Sequence, residues 1–220
     1  MSGTLIDDRV KRDAGGPPMT SPAIRNVVFD IGWVFVRLKY QPLLELLRSR
    51  GIESEDLHSV LARAALEDHE SGRLHGLGML ERLAALAREP LSVEELYGRW
   101  IDMFELEHEM VELAHRLSEA HRVYLLSNIG DLHWAHLSRE YGFHRLGHGA
   151  LPSYLAGVMK PQPGIYAEAE RRFALEPAAT VFIDDRADNI AAARERGWHG
   201  IVHGSYQSTR RALRLLGVAC

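Results

Sequence analysis

Val27-Val28-Phe29-Asp30-Ile31-Gly32-Trp33-Val34-Phe35-Val36 is the stretch that decides the fold. A short apolar run without alternation is the pattern of a strand covered on both faces, as in the middle of a parallel sheet. Such a strand, expected over residues 25–30, places Asp30 at its carboxyl end, where open α/β sheets hold their ligands. Gly32 follows two positions later and lets the backbone turn sharply and approach a ligand closely. An Asp that only capped a turn would stand alone, whereas two other strand runs end in comparable groups and a loop carries Lys160.

Arg122-Val123-Tyr124-Leu125-Leu126-Ser127-Asn128 and Thr180-Val181-Phe182-Ile183-Asp184-Asp185 are the next two buried-strand runs, each closing on polar or acidic residues. A weaker strand is expected over residues 144–151 and a short one over 200–203. Helical patterns stand between them. One carries Ile165, Ala167, Ala169 and Phe173 behind Pro163; another carries Ile190, Ala193 and Arg194 and stops at Gly197; the last covers residues 210–216. Strands alternating with helices specify an α/β fold with a doubly wound parallel sheet.

Between the first and second runs the pattern is helical for about eighty residues, too long for one crossover. Leu43, Leu44, Leu46 and Leu47 form one stripe; Leu57, Val60, Leu61 and Ala64 form another; Met79, Leu80, Leu83 and Leu86 a third. Ser92-Val93-Glu94-Glu95 predicts a capping box. The expected organisation is a small helical cap over residues 39–105, inserted into an α/β core of residues 24–38 and 106–220. Residues 1–23 are polar and broken by Gly15-Gly16-Pro17-Pro18, a composition expected to form a disordered extension.

Bulk composition narrows the function. The chain has 220 residues, 46% of them hydrophobic, enough for one substantial core and a small second lobe. A net charge of −4 argues against nucleic acid or an anionic membrane as a partner. The single cysteine, Cys220, rules out a disulfide framework within the chain and a cysteine zinc site, and suits a reducing compartment. No apolar run approaches the ~20 residues of a membrane helix, and the first residues lack a signal peptide's apolar segment. A soluble, cytoplasmic protein is expected. Oligomeric state is not encoded in any pattern found.

The strand ends would bring Asp30, Ser127-Asn128, Lys160 and Asp184-Asp185 to one crevice. At ~4 Å each carboxylate pair repels by about 1–4 kcal/mol, depending on the effective dielectric, more than Lys160 alone offsets. A hard divalent cation offsets it, and Mg²⁺ takes carboxylate, water and phosphate oxygens. The set reads as a magnesium-assisted phosphate site. A carboxylate there can attack phosphorus and divide one hard step into two. The Ser127 hydroxyl and the Asn128 N–H can hold phosphoryl oxygens, and Lys160 supplies a point charge.

With these residues in place, the chain resembles the haloacid dehalogenase-like hydrolase superfamily over nearly all of residues 25–220. Phe29-Asp30-Ile31-Gly32-Trp33-Val34 is similar to its nucleophile motif and Leu126-Ser127-Asn128 to its second. Gly157-Val158-Met159-Lys160-Pro161 is similar to the third, and Ile183-Asp184-Asp185-Arg186-Ala187-Asp188-Asn189 to the acidic fourth. The resemblance is closest to a bacterial branch of sugar-phosphate phosphatases that includes alpha-D-glucose-1-phosphate phosphatases. It implies a Rossmann-like core, a Mg²⁺ cofactor and a small phosphorylated metabolite, a sugar phosphate in particular, as substrate. It implies Asp30 as nucleophile and metal ligand, with the Gly32 carbonyl and Asp185 as further ligands and Asp184 acting through water. Ser127, Asn128 and Lys160 would hold the phosphoryl group. Competing readings are a 2-haloacid dehalogenase, which needs no metal, and a binding module that kept the fold without catalysis.

The sequence departs from the family pattern at Gly32, where most of these phosphatases carry a second Asp that handles protons. General acid–base help is worth ~10²–10⁴-fold, so a substrate with a good leaving group, such as a sugar 1-phosphate, is one expectation. Trp33 is bulky where a small residue is usual and is a candidate for stacking on a substrate ring or packing against the cap. Arg37 reads as salt-bridged or solvated. His133 and His136 read as helix histidines near the pocket, with a proton shuttle at His133 or a zinc pair as sharper alternatives. Glu70, Gly72 and His75 mark a cap loop facing the site or an ordinary turn between helices.

Overall fold

The structure, a computed structural model, describes residues 23–53 and 56–220. Apart from Ala23, the expected N-terminal extension lies outside the described residues. Chain order begins with β1 (Asn26–Phe29), β2 (Val36–Leu38), α1 (Gln41–Ser49), α2 (Leu57–Arg63), α3 (Leu66–Glu70), α4 (Gly76–Ala84), α5 (Val93–Ile101) and β3 (Phe104–Leu106). It continues with α6 (His108–Ser118), β4 (Arg122–Ser127), α7 (Asp131–Glu140), β5 (Gly149–Pro152), α8 (Ser153–Ala156), α9 (Pro163–Phe173), β6 (Thr180–Asp184), α10 (Ala187–Glu195), β7 (His199–Val202) and α11 (Tyr206–Leu215).

Five parallel strands form one sheet in the order β5-β4-β1-β6-β7, with β1 at its centre. The unbroken apolar runs have a simple cause: successive residues point to opposite faces, and both faces are covered. Val27, Phe29, Val123, Leu125, Val181 and Ile183 pack with Leu113 and Leu117 of α6 and Leu213 of α11. Val28, Tyr124, Leu126 and Phe182 pack with Ile165 and Tyr166 of α9 and Ile190 of α10. Register then sets the rim. Phe29 lies opposite both Leu125 and Ile183, so one step further brings Asp30 level with Asp184, with Ser127 a residue beyond.

Between β2 and β3, helices α1–α5 enclose a third core built on Leu43, Leu47, Val60, Leu61, Met79, Leu80, Leu83, Leu96 and Trp100. This is the small inserted helical cap. β2 and β3 pair antiparallel, Val36 opposite Leu106 and Leu38 opposite Phe104, so this two-stranded ribbon is the joint between cap and sheet. A division after residue 105 would cut through β3.

Several local expectations shift. The box at α5 closes only halfway: Ser92 Oγ accepts the Glu95 N–H at 3.1 Å, but the Glu95 carboxylate turns to Arg50 Nη2 at 3.0 and 3.1 Å. A charged partner in reach outcompetes a backbone N–H. β5 starts later than expected, because residues 143–145 wind into a 3-10 turn behind Gly142 at φ 71°. α11 starts earlier than residue 210, because Ser205 and Ser208 close a reciprocal capping box there.

Candidate active site

Asp30 stands one residue past β1 and is held to the rim by its own N–H, which donates to Ile183 O at 2.8 Å. Its carboxylate accepts the Ile31 N–H at 2.7 Å. The chain then folds back tightly: the Ile31 carbonyl accepts N–H groups from Val34, Phe35 and Val36, while the Trp33 N–H donates to Val36 O at 2.7 Å. A Cβ placed on Gly32 would meet nothing within 4 Å, so the position opens on free space.

Lys160 reaches the rim from the loop before α9. Its Nζ lies 2.9 Å from Asp30 Oδ1 and 2.7 Å from Asp184 Oδ2, with the side chain 1% exposed. Asn128 fixes that loop by a two-way amide pair: its Nδ2 donates to Lys160 O and its Oδ1 accepts the Lys160 N–H, both at 2.8 Å. Asp184 is held by protein donors, taking the Arg186 N–H at 2.8 Å and Asn189 Nδ2 at 3.0 Å in addition to Lys160. Asp185 is only partly buried. Oxygens of Asp30, Asp184 and Asp185 lie within 4.8 Å of one another. An all-oxygen set of three carboxylates against one ammonium fits a hard divalent cation such as Mg²⁺.

Burial dominates the electrostatics. It pushes the Asp30 pKa up to about 6; Lys160 opposes this, the Asp184 charge adds to it, and hydrogen bonds from Lys160 and Ser127 pull it back. Asp185 is also raised, by burial and then by Asp184. Burial works against the Lys160 charge, but Asp30 and Asp184 together overcome it and hold the ammonium above its usual range.

A cavity of about 180 Å³ lies between this rim and the cap. Gly32, Ser127 and Asn128 line its sheet end; Leu57, Leu61, Leu66, Trp100, Met103 and Phe104 make an apolar wall. Glu70, at the end of α3, also lines it. Burial pushes the Glu70 pKa up to about 7, the Asp30 charge adding, Lys160 opposing and Glu67 adding a little.

Asp30, Ser127, Asn128, Lys160, Asp184, Asp185 and Gly32 are thus gathered at one rim. Trp33 is not among the residues lining the cavity: it is 44% exposed and held at φ 56° by the tight turn. Arg37 pairs with Glu107. His133 is no free proton shuttle. Its Nε2 bonds to Trp100 O at 2.9 Å, its ring stacks on Trp100 with centroids 4.2 Å apart, and burial pushes its pKa down to about 3. His136 faces Phe104, and among the described residues the one metal-ready cluster is the aspartate trio. His75 is exposed beside Asp131. Sequence reasoning gave no role to Asn189, whose amide orients Asp184, or to Ser153, whose Oγ donates to Glu70 O at 2.5 Å. Asn189 lies five residues past Asp184 on the first helical turn, which was the available signal.

The family profile of "haloacid dehalogenase-like hydrolase" matches residues 1–197. A D-ribitol-5-phosphate phosphatase of Bacteroides thetaiotaomicron is 26% identical over 185 residues, 80% of this chain and 89% of the relative. The sesquiterpene phosphatase astK of Aspergillus oryzae is 23% identical over 89% of this chain and 97% of its own. A HAD family enzyme of B. thetaiotaomicron, crystallised with magnesium and inorganic phosphate, superposes with a TM-score of 0.74 at 22% identity, covering 83% of this chain and 95% of that one. With a family match over most of its length and a five-stranded parallel sheet carrying the acidic rim, the chain belongs to the haloacid dehalogenase-like hydrolases.

Proposed function

We propose that the protein is a Mg²⁺-dependent phosphatase acting on a small phosphorylated metabolite through an aspartyl-phosphate on Asp30. The observation that carries this is the meeting of Asp30, Asp184 and Asp185 within 4.8 Å around a buried Lys160. The relatives named as phosphatases support the reaction class. Asp30 and Asp185, with the Gly32 carbonyl, would hold the ion, Asp184 acting through water. The ion supplies neutralisation of the phosphoryl and carboxylate charges. Asp30 then attacks phosphorus, Lys160 orients its carboxylate and balances charge, and Ser127 and the Asn128 N–H position phosphoryl oxygens. A 2-haloacid dehalogenase, which needs no metal, would leave Asp184 its tie to Lys160 but give Asp185 no ion to hold.

The cavity wall bears on the rest of the substrate. Hydroxyls buried without partners cost ~1–3 kcal/mol each, and beyond the sheet end the wall is mostly leucines, Met103 and Phe104, with polar groups on Tyr40, Glu70, His133 and the unpartnered Trp100 indole N–H. We therefore favour an ester with a small apolar body. A sugar phosphate is the second reading, favoured by the ribitol-5-phosphate phosphatase relative. The test is phosphate release from aryl, prenyl and sugar phosphates with Mg²⁺ and with chelator. Expected are loss of turnover in chelator and in Asp30→Asn, and a higher kcat/KM for apolar esters. Full activity of Asp30→Asn would sink the covalent reading, and a preference for sugar esters would sink the apolar one.

A further inference from the structure

Hydrolysis by way of Asp30 needs a proton at the leaving oxygen in the first step and a proton acceptor for water in the second. Gly32 supplies neither. The space above it is open, and Glu70 of the cap lines the same cavity as Gly32, Ser127 and Asn128. Among the described residues, no hydrogen bond or ion pair engages the Glu70 carboxylate. Its backbone, by contrast, is fixed. Ser153 Oγ donates to Glu70 O at 2.5 Å and accepts the Ile129 N–H at 2.9 Å, tying the end of α3 to the sheet rim. Gly72, at φ 75°, sits so close to Tyr154 that a Cβ would fall 2.2 Å from its carbonyl oxygen. A chain tied down at this acid's own carbonyl and again two residues beyond it holds a cavity-lining acid in place.

We propose that Glu70 is the proton donor and acceptor of this site, a catalytic residue delivered by the cap in place of the one missing at Gly32. This rests on the phosphatase reading above. In the first step the Asp30 Oδ–phosphorus bond forms, the ester oxygen–phosphorus bond breaks, and the leaving oxygen takes the proton of the Glu70 carboxyl. In the second, a water oxygen bonds to phosphorus, the Asp30 oxygen leaves, and the water's proton returns to the Glu70 carboxylate. Burial first, and then the charges of Asp30 and Glu67 against that of Lys160, favour the protonated form that the first step requires.

The experiment compares wild type, Glu70→Gln, Gly32→Asp/Glu70→Gln and Asp30→Asn on 4-nitrophenyl phosphate and on an alkyl phosphate, with Mg²⁺, by rapid mixing. Nitrophenolate leaves without a proton; an alkoxide does not. For Glu70→Gln the expected result is a burst of nitrophenolate equal to the enzyme present, followed by slow turnover, because only the second step suffers. With the alkyl ester no burst appears and kcat falls by on the order of 10²–10⁴-fold. The double variant, with an acid returned to the open space at Gly32, regains turnover on both. A rise in KM alone, or an equal loss on both esters without a burst and without recovery in the double variant, overturns the proposal and makes Glu70 a binding or structural group. Inactive wild type, or active Asp30→Asn, instead overturns the phosphatase reading on which it stands.

Discussion

At the scale of single residues, the same burial acts in opposite senses on acids and on histidine. Asp30 and Glu70 are pushed toward neutrality upward, His133 toward neutrality downward. For His133 the sign is clear. Between its ordinary value near 6.5 and its folded value of about 3, the unfolded chain binds a proton that the folded chain does not, so folding weakens as pH falls through that window. The slope is at most about 1.4 kcal/mol per pH unit. His133→Gln keeps an N–H for the Trp100 carbonyl and removes the titration. Its unfolding free energy, measured by urea melts from pH 7 to 4.5, is expected to fall less steeply than that of the wild type. Asp30 and Glu70 contribute a trend of the opposite sign that is common to both proteins and cancels in the difference. Parallel curves for the two proteins would show that the buried imidazole does not titrate in the unfolded state alone.

At the scale of elements, the site is assembled from strand ends and from ties between loops. The strand ends were legible: an apolar run that stops at Asp30, Ser127 or Asp184 states both the element and the edge at which it ends. The ties were not. Asn128 and Lys160 are 32 residues apart, and no local pattern announces that one side-chain amide grips the other's backbone. The half-closed box at Ser92 failed for the same reason, since Arg50 is distant in sequence. Glu70 was legible as part of either a cap loop facing the site or an ordinary turn, and the choice between them depends on where the cap lies over the sheet. The tie at Lys160 predicts a separable effect. Asn128→Ala removes two hydrogen bonds, costing roughly 1–3 kcal/mol of stability, and frees the loop that aims Lys160. Turnover is expected to fall at least tenfold while thermal unfolding remains cooperative. Unchanged kcat in a stably folded variant would mean that Lys160 keeps its place unaided.

At the scale of the whole molecule, two bodies share one cavity. The sheet and its helices carry the aspartates; the cap carries the apolar wall and Glu70; the β2–β3 ribbon joins them. They also touch where Gly72 meets Tyr154 and where the Gly76 N–H donates to Asp131 Oδ1 at 3.0 Å. Gly72→Ala puts a methyl into the Tyr154 carbonyl at a positive φ, so the contact must open. A loss of about 1–3 kcal/mol of stability is expected, with a fall in kcat as Glu70 is carried away from the rim. Calorimetry and steady-state kinetics on the same preparation check both; wild-type values for each would show that the cap does not rely on this contact. Among the described residues no helix is long and apolar enough to cross a membrane.

That antiparallel ribbon has an evolutionary consequence. On the proposed function, the groups that would grip phosphorus sit on one scaffold and most of those that would judge the rest of the molecule on another, connected by two short strands. Drift in the lid can redirect such a hydrolase to new esters while its reactive machinery is passed on untouched. If Glu70 carries the proton as proposed, the lid is not freely exchangeable: each replacement has to reinvent an acid in the right spot or inherit a silent enzyme.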